Sequence, residues 1–266
     1  MSMKSILAVA LALSTFSVSA LAQDWAKTML EKSPRHQEWV DVKHDGRVVH
    51  AFVVYPEIKG KAPAVLVIHE IFGMTDWVRS VADKLAAQGY IAIAPDLLSG
   101  FGPGGKGSDG FASTQDTMKA ISELNPETIT ADLKAVADYV EKLPSTNGKL
   151  AVAGFCWGGG QSFRFATSRP ELKAAFVFYG PPPEQVASIR APVYGFYGGN
   201  DNRIDSTIPG AQAAMKQASK KYDPVTYEGA GHGFMRAGED PSNTVAANKK
   251  AHDEAWQRWL TLLKQM

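Results

Sequence analysis

The only cysteine of the chain lies in a motif that suits a nucleophile. Cys156 stands between Gly154 and Gly158, directly after the apolar run 150–153. This G-x-nucleophile-x-G spacing predicts a sharp strand-to-helix turn that lifts the side chain above a sheet. The flanking residues must be small because the two backbones nearly touch there, and the first N–H groups of the helix then face the same spot. Alone, the motif does not separate a reactive thiol from a structural one, since free cysteines are usually buried.

An acid and a base follow the cysteine in the order that such an elbow requires. Asp201 comes shortly after the strand-like run 192–197, and His232 follows the run 225–228 between two glycines. Enzymes with this elbow arrange their triad along the chain as nucleophile, acid and histidine. Because open parallel sheets gather functional groups at the carboxyl ends of their strands, we predict a triad of Cys156, Asp201 and His232.

The remaining histidines suit the role of the base less well. His36, His44 and His50 fall in an N-terminal hairpin-like region, and His252 lies on the last predicted helix. We expect these four to be solvated or structural. His69 ends a buried strand, and its role stays open.

Strands that alternate with helices must position these groups. Segment 97–113 is rich in glycine and serine and is predicted to be a mobile loop. The alternation predicts an α/β fold with a mostly parallel central sheet covered by helices on both faces. Strands are predicted at 38–42, 48–55, 64–69, 90–94, 150–153, 174–179, 192–197 and 225–228, and helices at 76–88, 114–124, 127–143, 206–222, 243–264 and directly after the elbow.

Composition excludes several classes of function. A net charge of +1 over 266 residues gives no electrostatic footprint for nucleic acid or an anionic membrane. One cysteine excludes an intrachain disulfide, a CxxC redox pair and a cysteine-built zinc site. His69 and Glu70 are not followed by a histidine at position 73, so the zinc-protease motif is absent. We expect no cofactor, no metal and a small-molecule partner; the chain is compatible with a monomer, but the oligomeric state is not fixed.

The first 22 residues are typical of an export signal. Lys4 precedes the short apolar run 6–13, and Ala20-Leu21-Ala22 forms a small-residue cleavage site before Gln23. The apolar run is too short to span a bilayer, and no cysteine follows the cleavage site for a lipid anchor. We predict a secretory signal peptide over 1–22, a single domain over 23–266, and a secreted or periplasmic protein.

Several motifs together resemble the dienelactone hydrolase, or carboxymethylenebutenolidase-like, family of α/β-hydrolases. The similarity extends from His69 to the terminal helix, over nearly all of the predicted mature chain. It implies the α/β-hydrolase fold and a hydrolase that acts on the ester bond of lactones or small carboxylic esters. The motifs are His69-Glu70-Ile71-Phe72-Gly73, Ala94-Pro95-Asp96-Leu97, Gly154-Phe155-Cys156-Trp157-Gly158-Gly159, Gly199-Asn200-Asp201 and Gly231-His232-Gly233-Phe234.

The resemblance also implies roles for residues outside the triad. Glu70 is implied to touch the resting thiol and help activate it, although a carboxylate there could instead cap a strand or pair with an arginine. The backbone N–H groups of Ile71 and Trp157 are implied to form the oxyanion hole. Arg236 matches a family arginine that binds a substrate carboxylate.

One departure from the family pattern bears on the substrate. The family's second carboxylate-binding arginine lies in the loop after Pro-Asp-Leu, and this chain has no arginine between Arg79 and Arg164. Lys106 is the candidate cation there, but an ammonium cannot reproduce the bidentate fork of a guanidinium. An ester or lactone substrate remains the expectation, without dienelactone itself being implied.

Three functions are compatible with these residues. The leading one is a secreted cysteine-dependent hydrolase of lactones or small esters with an acyl-enzyme intermediate. The second is a broader acyl hydrolase, such as a thioesterase or peptidase, since one fold hosts many chemistries. The third is a non-catalytic binding protein on the same scaffold, which the intact triad disfavours.

Overall fold

The computed structural model describes residues 23–266; the predicted signal peptide, 1–22, lies outside the described residues. The strands, in chain order, are β1 (Gln37–His44), β2 (Arg47–Val54), β3 (Ala62–Ile68), β4 (Ile91–Pro95), β5 (Thr146–Phe155), β6 (Ala174–Phe178), β7 (Val193–Gly198) and β8 (Tyr222–Tyr227). The helices are α1 (Asp24–Glu31), α2 (Asp76–Ala87), α3 (Thr114–Ser122), α4 (Pro126–Lys142), α5 (Trp157–Phe165), α6 (Asn202–Asp205), α7 (Ile208–Gln217), α8 (Phe234–Ala237) and α9 (Ala246–Leu263).

The strands form one twisted α/β sheet in the order β1-β2-β4-β3-β5-β6-β7-β8. Strands β3 to β8 run parallel, whereas β1 pairs antiparallel with β2, and β2 pairs antiparallel with β4. The β1–β2 turn is made by Asp45 and Gly46, both at positive φ, as the Asp-Gly hairpin signal predicts. This is the α/β-hydrolase fold, so the predicted fold class is confirmed.

The sheet is buried on both faces because successive side chains of a strand point to opposite sides. In β3, Val65 and Val67 join the apolar cluster beneath α1, α2, α8 and α9, while Leu66 and Ile68 join the cluster beneath α4, α5 and α7. Two hydrophobic layers therefore hold the parallel strands and fix the edge at which they end. Within residues 23–266, no helix has the length and apolarity needed to cross a membrane.

The glycine-rich segment 97–113, predicted to be a mobile loop, contains more local structure than its composition indicates. It contains two 3₁₀ turns, Pro103–Gly105 and Ser108–Gly110. The buried carboxylate of Asp96 accepts bonds from the N–H and the hydroxyl of Ser108, both at 2.7 Å. The Ser108 hydroxyl in turn accepts the N–H of Met74 at 3.0 Å. These bonds tie the segment to the loop that follows β3.

Candidate active site

Cys156 occupies the turn between β5 and α5 in a backbone conformation that few residues adopt. Its φ is +56° and its ψ is −119°. A non-glycine residue in such a region costs about 1–3 kcal/mol and persists only where the surroundings enforce it. Here the N–H of Cys156 donates to the carbonyl of Phe178 in β6 at 3.0 Å, and the thiol is half-buried. The predicted elbow is present, and it presents sulfur at the carboxyl edge of the sheet.

Close backbone contacts explain the glycines around the elbow. A Cβ on Gly154 would overlap the carbonyl oxygen of Gly158, and a Cβ on Gly158 would lie 2.6 Å from the carbonyl oxygen of Ile68. Real Cβ atoms do not approach so near. The missing side chains therefore bring the start of α5 against the end of β3, and with it the loop that carries Glu70.

Asp201 and His232 meet at the same edge. Asp201 follows β7 and His232 follows β8, and Nδ1 of the imidazole lies 2.5 Å from Oδ2 of the carboxylate. Asp201 is buried, whereas about a third of the His232 side chain is exposed (32%). Since an ionised carboxylate only accepts hydrogen bonds, Nδ1 carries the proton, and Nε2 remains available to a neighbouring group.

The electrostatics of His232 link it to the cysteine. Burial disfavours the charged imidazolium, but hydrogen bonding to Cys156 and Asp201, together with their negative charge, outweighs it. The result raises the pKa of His232 to about 9. A protonated His232 would stabilise a neighbouring thiolate, the reactive form of cysteine.

Glu70 forms a buried ion pair with Arg236. The guanidinium donates from Nε to Oε2 of Glu70 at 2.7 Å, and its carbon lies 5.2 Å from the centre of the Phe72 ring. Burial raises the pKa of Glu70, and the charge and hydrogen bond of Arg236 oppose that shift, as does the charge of His232. The structure therefore brings Glu70 and Arg236 together near His232. Of the alternatives for Glu70, the contact observed is the ion pair with an arginine.

The two candidate oxyanion donors belong to Ile71 and Trp157. Trp157 is the first residue of α5, so no preceding helical turn accepts its N–H. Across residues 23–266, the N–H of Ile71 donates to no protein acceptor. Neither donor thus has an acceptor in the described part of the chain, and both remain candidates for binding a substrate oxygen.

Tyr179 is a site residue that the sequence analysis missed. It follows β6 directly at a φ of +40°, and its ring centre lies 5.1 Å from that of His232. The hydroxyl is buried and bonds to none of residues 23–266. Burial, with the charge of Glu70, raises its pKa well above the usual value, so the phenol stays protonated. Its position directly after a buried strand was the available signal.

Lys106 lines a cavity of about 570 Å³ together with Trp39, Met74 and Arg79. Neither Cys156 nor any other member of the predicted triad lines that cavity. A contact between Lys106 and substrate stays a prediction.

The charged groups of the site are paired with one another. Asp201 holds His232, and Glu70 holds Arg236. Within the described part of the chain, no cluster of three or more histidine, cysteine or acidic side chains is arranged to hold a metal ion. The groups that the structure brings together are a thiol, an imidazole, two carboxylates and a guanidinium.

Comparison with known proteins gives one consistent family. The sequence model of the Dienelactone hydrolase family matches residues 49–266. The "Putative carboxymethylenebutenolidase" of Escherichia coli strain K12 is 32% identical over 220 residues, which cover 77% of this chain and 78% of that protein.

Solved structures with the same fold are also similar. A "Putative Dienelactone Hydrolase" from Klebsiella pneumoniae subsp. pneumoniae MGH 78578 superposes with a TM-score of 0.75 at 27% identity, covering 87% of this chain and 99% of that one. The dienelactone hydrolase from Anabaena variabilis ATCC 29413 has a TM-score of 0.61 at 21% identity, over 82% of this chain and 96% of that one. At that identity, the second likeness concerns the fold alone.

Proposed function

Because this chain belongs to the dienelactone hydrolase family and is a hydrolase acting on ester bonds, we propose that it cleaves lactones or small carboxylic esters through a Cys-His-Asp triad. Cys156 is the nucleophile, His232 the general base and Asp201 its orienting acid. The observation that carries the proposal is the strained elbow of Cys156 at the sheet edge where His232 bonds Asp201.

The reaction follows from the positions of these groups. His232 takes the thiol proton of Cys156, and the thiolate attacks the ester carbonyl carbon. The N–H groups of Ile71 and Trp157 stabilise the negative oxygen of the tetrahedral intermediate. His232 then protonates the leaving alkoxide, which stays tethered to the acyl group if the substrate is a lactone. Water, deprotonated by His232, finally hydrolyses the thioester and releases the acid.

We further propose that Arg236 makes the protein prefer anionic substrates. Only Nε of its guanidinium is used by Glu70, and the two terminal nitrogens bind no acceptor within residues 23–266. A substrate carboxylate bound there lies beside Glu70. Glu70 and the bound anion then share the guanidinium of Arg236, each through a different nitrogen.

The test is a panel of lactones and aryl esters on purified protein with triad variants. Removing the nucleophile or base of a triad costs roughly 10³-fold or more in kcat, and we expect this for Cys156→Ala and His232→Ala. Asp201→Asn loses less, because it misorients the imidazole without removing it. Thioester or peptide cleavage faster than lactone cleavage would instead indicate a broader acyl hydrolase. Full activity of Cys156→Ala would overturn the proposal, and a thiol that resists electrophiles in an inactive protein would favour a binding protein.

We further propose that residues 1–22 direct export and are removed, which leaves Gln23 at the N-terminus. The support is the charge, apolar length and small-residue site of that segment. Intact-mass analysis of protein recovered from the periplasm or medium measures the cleavage point. Exported, soluble protein that retains Met1 would overturn the proposal.

A further inference from the structure

His69 is a fully buried histidine whose two ring nitrogens both have partners. Its Nδ1 lies 2.7 Å from the carbonyl oxygen of Glu70, and its Nε2 faces the N–H of Leu97 at 3.4 Å. A carbonyl only accepts, and a backbone N–H only donates. The imidazole is therefore the neutral tautomer with its proton on Nδ1. Burial lowers its pKa, which keeps it in that form.

The Glu70 carbonyl and the Ile71 N–H belong to one peptide group. In a trans peptide they point in opposite directions from a rigid plane, and no cis bond occurs within residues 23–266. A hydrogen bond that fixes the carbonyl of Glu70 therefore also fixes the direction of the Ile71 N–H. We propose that His69 is a positioning residue that holds this peptide so that the Ile71 N–H stays aimed at the substrate oxyanion.

A second contact joins His69 to the other oxyanion donor. Its ring is stacked on the indole of Trp157, with centroids 5.5 Å apart and planes at 13°. The carbonyl of His69 also lies where a Cβ of Gly158 would stand. One buried ring thus contacts the residues on both sides of the proposed hole.

The turn after β3 does not replace this hydrogen bond. The N–H of Gly73 also donates to the Glu70 carbonyl, but at 3.1 Å rather than 2.7 Å. Gly73 itself has a φ of +76° and closes a four-residue turn. Without the imidazole, the carbonyl keeps the longer bond only, and the peptide is freer to rotate away from the elbow.

The inference rests on the proposed acyl-transfer function, and three variants of His69 test it. His69→Phe keeps a ring against Trp157 but removes the donor. His69→Asn places an amide N–H on Cγ, where Nδ1 stands in histidine, and His69→Leu has the same branching without a donor. Deleting an oxyanion donor outright lowers kcat by about 10²–10³-fold. In these variants the Ile71 N–H remains but loses its fixed direction, so we expect kcat to fall roughly 10- to 100-fold in His69→Phe and His69→Leu. We expect His69→Asn to stay within about tenfold of the wild type, and KM to change little.

Two further measurements separate positioning from general damage. Alkylation of Cys156 by iodoacetamide forms no oxyanion, so its rate should stay within about twofold in all three variants. An aryl trifluoromethyl ketone forms a tetrahedral adduct with the thiol and so carries an oxyanion. Its Ki should therefore rise in His69→Phe and His69→Leu in proportion to their loss in kcat/KM. Val136→Ala, which opens a cavity beneath α4, is the control for lost stability and should change none of these values.

The outcomes are distinct. Wild-type kcat in both His69→Phe and His69→Leu, equal losses in Asn and Leu, or a parallel loss of alkylation would each overturn the assignment of His69. If His69→Phe fails to fold, the comparison of Asn with Leu decides the same question. Failure of the proposed function would look different, because Cys156→Ala would then remain active.

Discussion

Arg236 and Glu70 form a neutral buried unit beside the catalytic candidates, joined by the 2.7 Å bond from Nε to Oε2. The carboxylate is almost fully buried, whereas about a quarter of the arginine side chain reaches solvent (23%). The pair therefore satisfies a charge in the interior and leaves part of the guanidinium exposed to solvent. The same contact therefore bears on stability and on the proposed binding of an anionic substrate.

Removing the arginine should destabilise the protein more at neutral pH than in acid. Breaking one partner of a buried ion pair costs about 3–5 kcal/mol, and Arg236→Ala leaves the Glu70 carboxylate without its cation. Burial already raises the pKa of Glu70, and the variant raises it further. A carboxyl whose pKa is higher in the folded protein does not lower protein stability at pH values below its unfolded pKa of about 4.3. It destabilises the protein increasingly as pH rises from there through the folded pKa. The loss in free energy of unfolding of Arg236→Ala relative to the wild type, measured with urea, should be small near pH 4.5 and large near pH 8.

The double variant Glu70→Gln with Arg236→Ala is the control for this charge effect. A neutral amide needs no cation, so its stability relative to Glu70→Gln alone should be nearly independent of pH. A deficit of Arg236→Ala that is equal at both pH values would mean that lost packing, and not an unpaired carboxylate, is the cause.

The substrate prediction concerns the terminal nitrogens of Arg236. A charge-assisted hydrogen bond contributes about 1.5–3 kcal/mol, so Arg236→Ala should lower kcat/KM for an acidic lactone roughly ten- to a hundredfold. The methyl ester of the same compound should be nearly unaffected. Arg236→Lys keeps the positive charge but not the forked guanidinium, so its kcat/KM for the acidic lactone should lie between those of the wild type and Arg236→Ala.

Lys106→Ala is the matched cation control, because Lys106 lines a cavity that the triad does not share. We expect it to change either substrate by less than Arg236→Ala does. Equal losses of Arg236→Ala on the acid and its ester would contradict an anionic preference and assign Arg236 to support of Glu70.

The features that could be predicted from the sequence are those that depend on local spacing along the chain. The elbow of Cys156 is encoded within five residues, and the post-strand positions of Asp201 and His232 follow from apolar runs that end in glycine. The structure brings these three to one sheet edge, and their chemical roles stay predictions until variants are assayed. The hairpin at Asp45 and Gly46 was readable for the same local reason.

What the sequence could not give depends on tertiary contacts. Glu70 and Arg236 are 166 positions apart, and only the packed sheet shows that they pair. Tyr179 lies in no recognised motif, and only its contact with His232 in the folded chain places it at the site. Segment 97–113 was predicted to be a mobile loop from composition, which gave no sign of the bonds between Asp96 and Ser108; its mobility stays a prediction.

The close approach at the elbow gives a further prediction. Gly158→Ala would place a Cβ 2.6 Å from the carbonyl oxygen of Ile68, a backbone atom that cannot simply turn away. Overpacking of this kind costs about 1–3 kcal/mol, and the displaced end of β3 should also lower kcat. Gly210→Ala in α7 is the control, because no atom lies within 4 Å of its Cβ; there alanine should be neutral or stabilising by up to about 1 kcal/mol. Equal unfolding midpoints for the two variants would contradict the steric account.

The raised pKa of His232 makes a signed prediction about stability and pH. Hydrogen bonds to Cys156 and Asp201 outweigh burial and raise that pKa to about 9, whereas an unfolded histidine titrates at about 6.5. A base with a raised folded pKa contributes stability that is fully present below the unfolded value and is lost as pH rises through the folded value. The difference in Tm between the wild type and His232→Gln should therefore favour the wild type most near pH 6 and shrink steadily toward pH 10. Asp201→Asn removes one of the groups that raise the pKa, so the fall should shift to lower pH in that variant. A Tm difference that is constant across this range, or that grows with pH, would mean that His232 is not held as an imidazolium by its two partners.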